Sequence, residues 1–256
     1  MKPLGKKTML SIISMGIFTL QSAKADMIDL YMMGVLPSIV GSSNKCLTHL
    51  GKTYCEVTSP YTDKVWLDRN MGAARVCTTL DDTACFGDYY QWGRKADGHE
   101  DQNSGITTAQ ANDVNDAGTP DFMISFGDWA ASTIDDNGST RSANWSNING
   151  SYACPAEYRV PTLDEFKAEL LDSGSAEIDN RDEAFESFLK LPSAGFRDSG
   201  DGTMKYQDSL GMLWSSTARN QGASLIDFES NDAGIGYSAL RNYGQSVRCI
   251  KGRGPA

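Results

Sequence analysis

The chain has 256 residues and a formal net charge of −10, from 23 basic and 33 acidic side chains. A surface that acidic repels phosphate backbones and anionic lipid, so it speaks against nucleic acid and membrane surfaces as partners. It is compatible with cations, with neutral sugars and with proteins. The first segment, MKPLGKKTMLSIISMGIFTLQSAKA, reads as an export signal. Lys2, Lys6 and Lys7 precede the apolar run Met9–Leu20, which is too short to cross a bilayer comfortably, and Ala23-Lys24-Ala25 has the small-x-small form of a cleavage site. Removing residues 1–25 takes away four lysines and no acid, which leaves 19 basic and 33 acidic side chains and a net charge of about −14. No cysteine sits at the cut and no second long apolar run follows, so the expectation is a secreted, periplasmic or cell-surface protein without membrane insertion.

Residues 26–45 read as a short lead or linker. Thr53–Thr58 and Val65–Asn70 read as strands on either side of the turn SPYTDK, and Gly87–Lys95 reads as an aromatic strand or short helix. Residues 97–151 change character. They are rich in Asp, Asn, Gly, Ser and Thr, and they run too long for an ordinary connection. Disordered chain is poor in aromatics, and this stretch holds Phe122, Phe126, Trp129 and Trp145, so an ordered loop region anchored by its rings is expected. RVPTLDEFKAELLDSG then gives a helix, with Thr162 as N-cap, Glu165 completing a capping box and Gly174 as the stop. NRDEAFESFLKL gives a second helix, capped by Asn180 and Glu183 and followed by Pro192. The segments AGFRD, LGMLWSST, ASLIDFES, GIGYSALR and QSVRCIK read as strands of a small antiparallel sheet. The sum is an α+β fold with short antiparallel sheets, two helices and long loops, its domain running over residues 46–252.

Six cysteines lie beyond the signal, and an even number in an exported chain argues for disulfides. Fifteen pairings are open. Spacing favours Cys46 with Cys55 across LTHLGKTY and Cys77 with Cys85 across TTLDDTA, which leaves Cys154 and Cys249 for each other.

VWLDRNMGAARVC, ACFGDYYQWGRKADG, CPAEYRVPTLDEF, LKLPSAGFRD, LWSSTA and SVRCIKG stand here in the order of the Fibrobacter succinogenes major paralogous domain. The chain resembles that family over about residues 50–252. More remotely it resembles the C-type lectin-like fold shared with formylglycine-generating enzymes: RVPTLDEF is similar to their RLPTEAEWE helix, and SVRCIKG to their closing GFRC strand. The resemblance implies a mixed α/β fold whose termini meet in one sheet, with long loops on one side, in an exported, surface-associated protein.

The chemistry points away from catalysis. Formylglycine-generating enzymes use a cysteine pair to hold copper, and the matching stretch LGMLWSSTARNQGASLIDFES has no cysteine. His49 and His99 are the only histidines. Neither lies in a nucleophile-elbow context, and both read as surface residues. Zinc wants closely spaced Cys or His, which are absent. Calcium is the better cofactor candidate, because it takes oxygens from acid-rich loops. Its candidate ligands are Asp113, Asn115 and Asp116, then Asp135 and Asp136, then Asp198 and Asp201. None of these loops fits the EF-hand pattern, and Asp and Asn also simply make turns. Trp129, Trp145 and Tyr152 are candidates for stacking on a sugar, against the alternative that they pack the insert onto the body. The expected function is an exported, non-catalytic module that binds a glycan or a surface protein through residues 97–151. An enzyme built on the formylglycine-generating scaffold and a structural subunit of a surface assembly are the alternatives.

Overall fold

A computed structural model describes residues 45–125, 127–172 and 174–252. The signal, Phe126, and the lead other than Lys45 lie outside the described residues. The fold is mixed α+β and mostly antiparallel. The strands β1 (Cys46–His49), β2 (Lys52–Thr58) and β3 (Val65–Leu67) open the domain. Short strands β4 (Tyr90–Gln91), β5 (Ile106–Thr107) and β6 (Phe122–Met123) follow, then helix α1 (Ser139–Ser146) and strand β7 (Tyr158–Arg159). Helices α2 (Leu163–Leu170) and α3 (Arg181–Glu186) come next. Strands β8 (Phe196–Arg197), β9 (Met204–Lys205), β10 (Gly211–Arg219), β11 (Gly222–Phe228), β12 (Ala233–Leu240), β13 (Gly244–Gln245) and β14 (Ile250–Lys251) complete the chain.

The two ends of the domain share one sheet, ordered β1-β2-β3-β14-β7. The last strand sits between β3 and β7, and the Leu67 N–H donates to the Cys249 carbonyl at 2.9 Å. All six cysteines are paired as Cys46–Cys55, Cys77–Cys85 and Cys154–Cys249. The third bridge closes a separation of 95 residues beside the closing strand. A second sheet, β10-β11-β12, carries apolar side chains on both faces. Trp214, Ala223 and Leu225 face one core with Trp92, Trp145 and Tyr158, and Leu213, Ile226 and Phe228 face another with Trp66, Phe166 and Leu170.

Local sequence explains the helices. In α2, Thr162 Oγ1 accepts from the Glu165 N–H and Glu165 accepts from the Thr162 N–H. Arg159 grips the same carboxylate at 2.7 Å with two nitrogens. Burial opposes ionisation there, but these bonds hold the Glu165 carboxyl down at about 2. Asn180 caps α3, which stops at Glu186, well short of the apolar run that follows. The expected strand Val65–Asn70 stops at Leu67 because its polar side chains turn to other work. Asp68 accepts from the Cys55 N–H, and buried Asn70 donates to the Phe86 carbonyl and accepts from Arg248. Among the described residues there are three α-helices rather than two. STRSANWS has neither an apolar stripe nor a side-chain cap, and α1 is fixed instead by burial of Arg141 and Trp145.

The insert is ordered, and buried arginines organise it. Arg94 donates to the carbonyls of Thr119 and Asp121. Arg197 takes those of His99, Asp101, Ser104 and Gly202. Arg241 takes those of Asp135, Asp136, Asn220 and Gly222. Arg141 joins Asp128 to Asp135 over the rings of Trp92 and Trp129. A guanidinium has five donors in a rigid fork, so one side chain satisfies several loop carbonyls that burial would otherwise leave orphaned.

Candidate functional site

Two of the three nominated ligand rings are not available for stacking. Trp129 and Trp145 are 0% and 1% exposed, and their indole N–H groups donate to the carbonyls of Trp92 and Arg94. They pack the insert onto the body, and the expectation that they meet a sugar is corrected. Tyr152 is half-buried against the core, its hydroxyl 3.4 Å from Asn115 Oδ1.

The proposed calcium ligands are spread over three loops and occupied with turn and ion-pair chemistry. Asp113 Oδ1 accepts from the Asn115 N–H, and Asp116 meets Lys95 and the Gly118 N–H. Asp135 accepts from the N–H groups of Thr140 and Arg141 and from the Arg141 guanidinium. Asp198 caps Gly200 and Asp201, and Asp201 holds Thr203 and Lys205. Asp136 is exposed and lines a depression described below.

The acidic and histidine groups that do converge are Asp97, His99 and Glu100. His99 is fully buried, not on the surface as its context suggested. Its Nε2 accepts from the Gln91 N–H at 3.0 Å, which puts the proton of the neutral ring on Nδ1, aimed at Asp97 Oδ1 at 2.8 Å. A metal would need the Nδ1 lone pair that this arrangement removes. Asp97 also receives Arg94. Burial raises the Asp97 carboxyl, and the bonds from His99 and Arg94 outweigh it and hold it below the usual range. The trio is an internal hydrogen-bonded cluster, with Arg94 as its cation, that ties the start of the insert to β4.

The surface feature best suited to a ligand is a groove of about 350 Å³ between the sheets. Phe196 comes from β8, Met212 from β10, Ser238, Ala239 and Leu240 from β12, Tyr243 from the following turn and Gln245 from β13. Phe196 is the centre of an aromatic cluster, 5.4 Å from Tyr243 in an edge-to-face arrangement and 5.7 Å from Tyr206. Tyr206 is 64% exposed. Gln245 is fully buried at the floor, and neither its amide nitrogen nor its amide oxygen has a hydrogen-bond partner. Leu240 also borders a second depression of about 200 Å³, lined by Gln110, Gly127, Asp128, Ser132 and Asp136 of the insert with Gln221. An apolar, aromatic subsite therefore adjoins a polar one. A wider hollow of about 510 Å³ between α1 and β10 is lined by hydroxyls that are already engaged, such as Ser142 Oγ on the Ser216 carbonyl and Thr217 Oγ1 on the Leu163 N–H.

The groove is not legible along the chain, because its residues come from four strands and one turn spread over 50 residues. No free cysteine is present among the described residues, and no helix there is long and apolar enough to cross a membrane. Compared with protein-family models, with curated proteins and with solved structures, the chain matches none.

Proposed function

We propose that the chain is an exported, non-catalytic binding module whose groove takes a saccharide. The observation that carries this reading is the groove itself: aromatic walls from Phe196 and Tyr243, no charged lining, and an unpartnered amide in the floor. Sugar rings offer one apolar face and a rim of hydroxyls, so they suit aromatic side chains flanked by polar groups. Three disulfides support export, since such bonds persist in oxidising compartments. The non-catalytic reading rests on two features. Every described cysteine is bridged, and His99 is enclosed with both ring nitrogens engaged.

We also assign the domain to the Fibrobacter succinogenes major paralogous type and to a C-type lectin-like fold. In support, SVRCIKG forms a closing strand between β3 and β7, and RVPTLDEF opens a capped helix beside it. The insert then acts as one wall of the ligand surface through Gln110, Asp128 and Asp136. A second reading, a protein partner added as a strand, is favoured by β12. Its sequence AGIGYSAL has no charge, and among the described residues it pairs with β11 on one side only.

The mature protein should show saccharide binding on a glycan array, screened with and without calcium. Calorimetry on the best hit should then show Tyr243→Ala weakening it about tenfold, since one lost ring contact is worth roughly 1–1.5 kcal/mol. Unchanged affinity in that variant, with the fold intact by circular dichroism, would remove the groove from the account.

A further inference from the structure

Just beyond the groove's lining, across the strand pair from Met212, stands a carboxylate with no counter-charge. Asp227 of β11 lies directly across from Met212, a groove residue, and from Gly234 of β12. Opposed residues in an antiparallel pair project to the same face, so Asp227 shares the face of Met212. Its Oδ1 is buried and has no hydrogen-bond partner. The ring of Tyr237, 60% exposed, lies against the same spot. A Cβ added at Gly234 would meet Tyr237 Cε2 at 2.5 Å and Asp227 Oδ1 at 2.8 Å, so ring edge and carboxylate share the space that this glycine leaves open.

The charges around Asp227 make the imbalance sharper. Asp232 and Glu229 are the ionised neighbours that act on it, both negative. From β10 it faces Met212, and from β12 it faces Gly234 and Tyr237. Arg181 reaches this end of β11 through its backbone, donating its N–H to the Glu229 carbonyl, but its guanidinium goes to the Asp208 carbonyl. Burial and then the two acids push the Asp227 carboxyl up to about 6. Folding therefore keeps an acid that costs stability near neutral pH, which is the pattern of a group retained for use.

We propose that the groove's ligand is an amine-bearing saccharide whose ammonium group is taken by Asp227 beside the Tyr237 ring. This rests on the saccharide reading of the groove and adds its chemical class. A metal ion fits less well, because the carboxylates of Asp227, Glu229 and Asp232 do not converge on one point as ligands must. An ammonium is a larger, softly coordinated cation. It gains from one carboxylate at hydrogen-bond distance, from nearby negative potential and from an aromatic ring at its side. The strongly acidic chain raises the local concentration of such a ligand and disfavours acidic glycans. The fully buried, unpartnered Gln245 amide in the same groove gives the sugar hydroxyls a partner.

The test uses three β-1,4-linked hexasaccharides of one backbone, bearing hydroxyl, acetamido or amino groups at C2, titrated into the mature protein. The amino form should bind about tenfold more tightly than the other two near pH 6.5. Asp227→Asn, nearly isosteric, should abolish that preference, with the fold intact by circular dichroism. Affinity for the amino form should rise as pH climbs from about 5 through 6, where Asp227 loses its proton, and the variant should lack that rise. Neutral forms binding with sensitivity to Tyr243→Ala, but no amino preference, would overturn this proposal and leave the groove reading standing. No binding by any of the three would overturn both. A lysine-rich peptide that binds as tightly and is equally lost in Asp227→Asn would place a protein at the site and overturn the saccharide assignment.

Discussion

Replacing Cys154 and Cys249 together by alanine should lower the stability of the domain by about 4–5 kcal/mol, the loop-entropy value for a closure of this length. The bridge spans 95 residues and lies between the turn before β7 and the residue before β14. Both cysteines are buried in the core with Tyr158, Val160 and Val247. Losing the link frees the unfolded chain and also unpins the closing strand from the turn before β7. In a domain of this size the melting temperature should fall by roughly 10–15 °C. The two short bridges close loops with separations of only 9 and 8 residues, so opening either should cost clearly less. Thermal unfolding of the three pairwise variants checks the order. Equal losses for all three would show that the long bridge does not hold the termini together.

Arg197→Met should cost about 3–5 kcal/mol, and the damage should be local. Arg197 is 2% exposed and has no carboxylate in hydrogen-bonding reach. Its guanidinium lies 4.3 Å from the Phe122 ring centroid. It donates to Gly202 at 2.9 Å, Asp101 at 2.9 Å, Ser104 at 2.8 Å and His99 at 3.3 Å, all carbonyls, and to Ser104 Oγ at 2.6 Å. Methionine replaces the stem but none of the donors, and each buried acceptor left unmet costs roughly 1–3 kcal/mol. Burial lowers the pKa of this arginine, so the charge is held at a cost that the carbonyls, the Phe122 ring and the nearby charge of Asp101 offset. Hydrogen exchange should quicken over residues 98–107 while α2 and β10 keep their protection. Uniform loss across the domain, or a change under 1 kcal/mol, would contradict the idea that buried arginines organise the insert.

That variant also marks the limit of what the sequence conveys. The capping box at Thr162 and Glu165, the Asn180 cap and the strands around Cys55, Trp214 and Ile226 are written in local patterns, and the structure has them. Cysteine spacing points to the same three bridges. The insert's order is signalled by its rings but not explained by them. Arg94, Arg141, Arg197 and Arg241 look like surface residues in a linear reading, since arginine is seldom buried unless something pays for it. What offsets it is a set of loop carbonyls and carboxylates brought together only in three dimensions. Trp129 and Trp145 mislead for the related reason that a tryptophan in a polar stretch looks exposed until its indole N–H finds a backbone acceptor. The groove is less legible still. Phe196, Tyr206 and Tyr243 are unremarkable one at a time, and they become a site only when β8, β12 and β13 converge.

The account stands on where a ligand sits. Hydrogen exchange on the protein, with and without a saturating array-selected saccharide, addresses this directly. Slowed exchange over residues 237–245 and the strands carrying Phe196, Met212 and Asp227 is the predicted result. Protection on the outer turns of the insert around residues 113–118, or none anywhere at saturation, would contradict it.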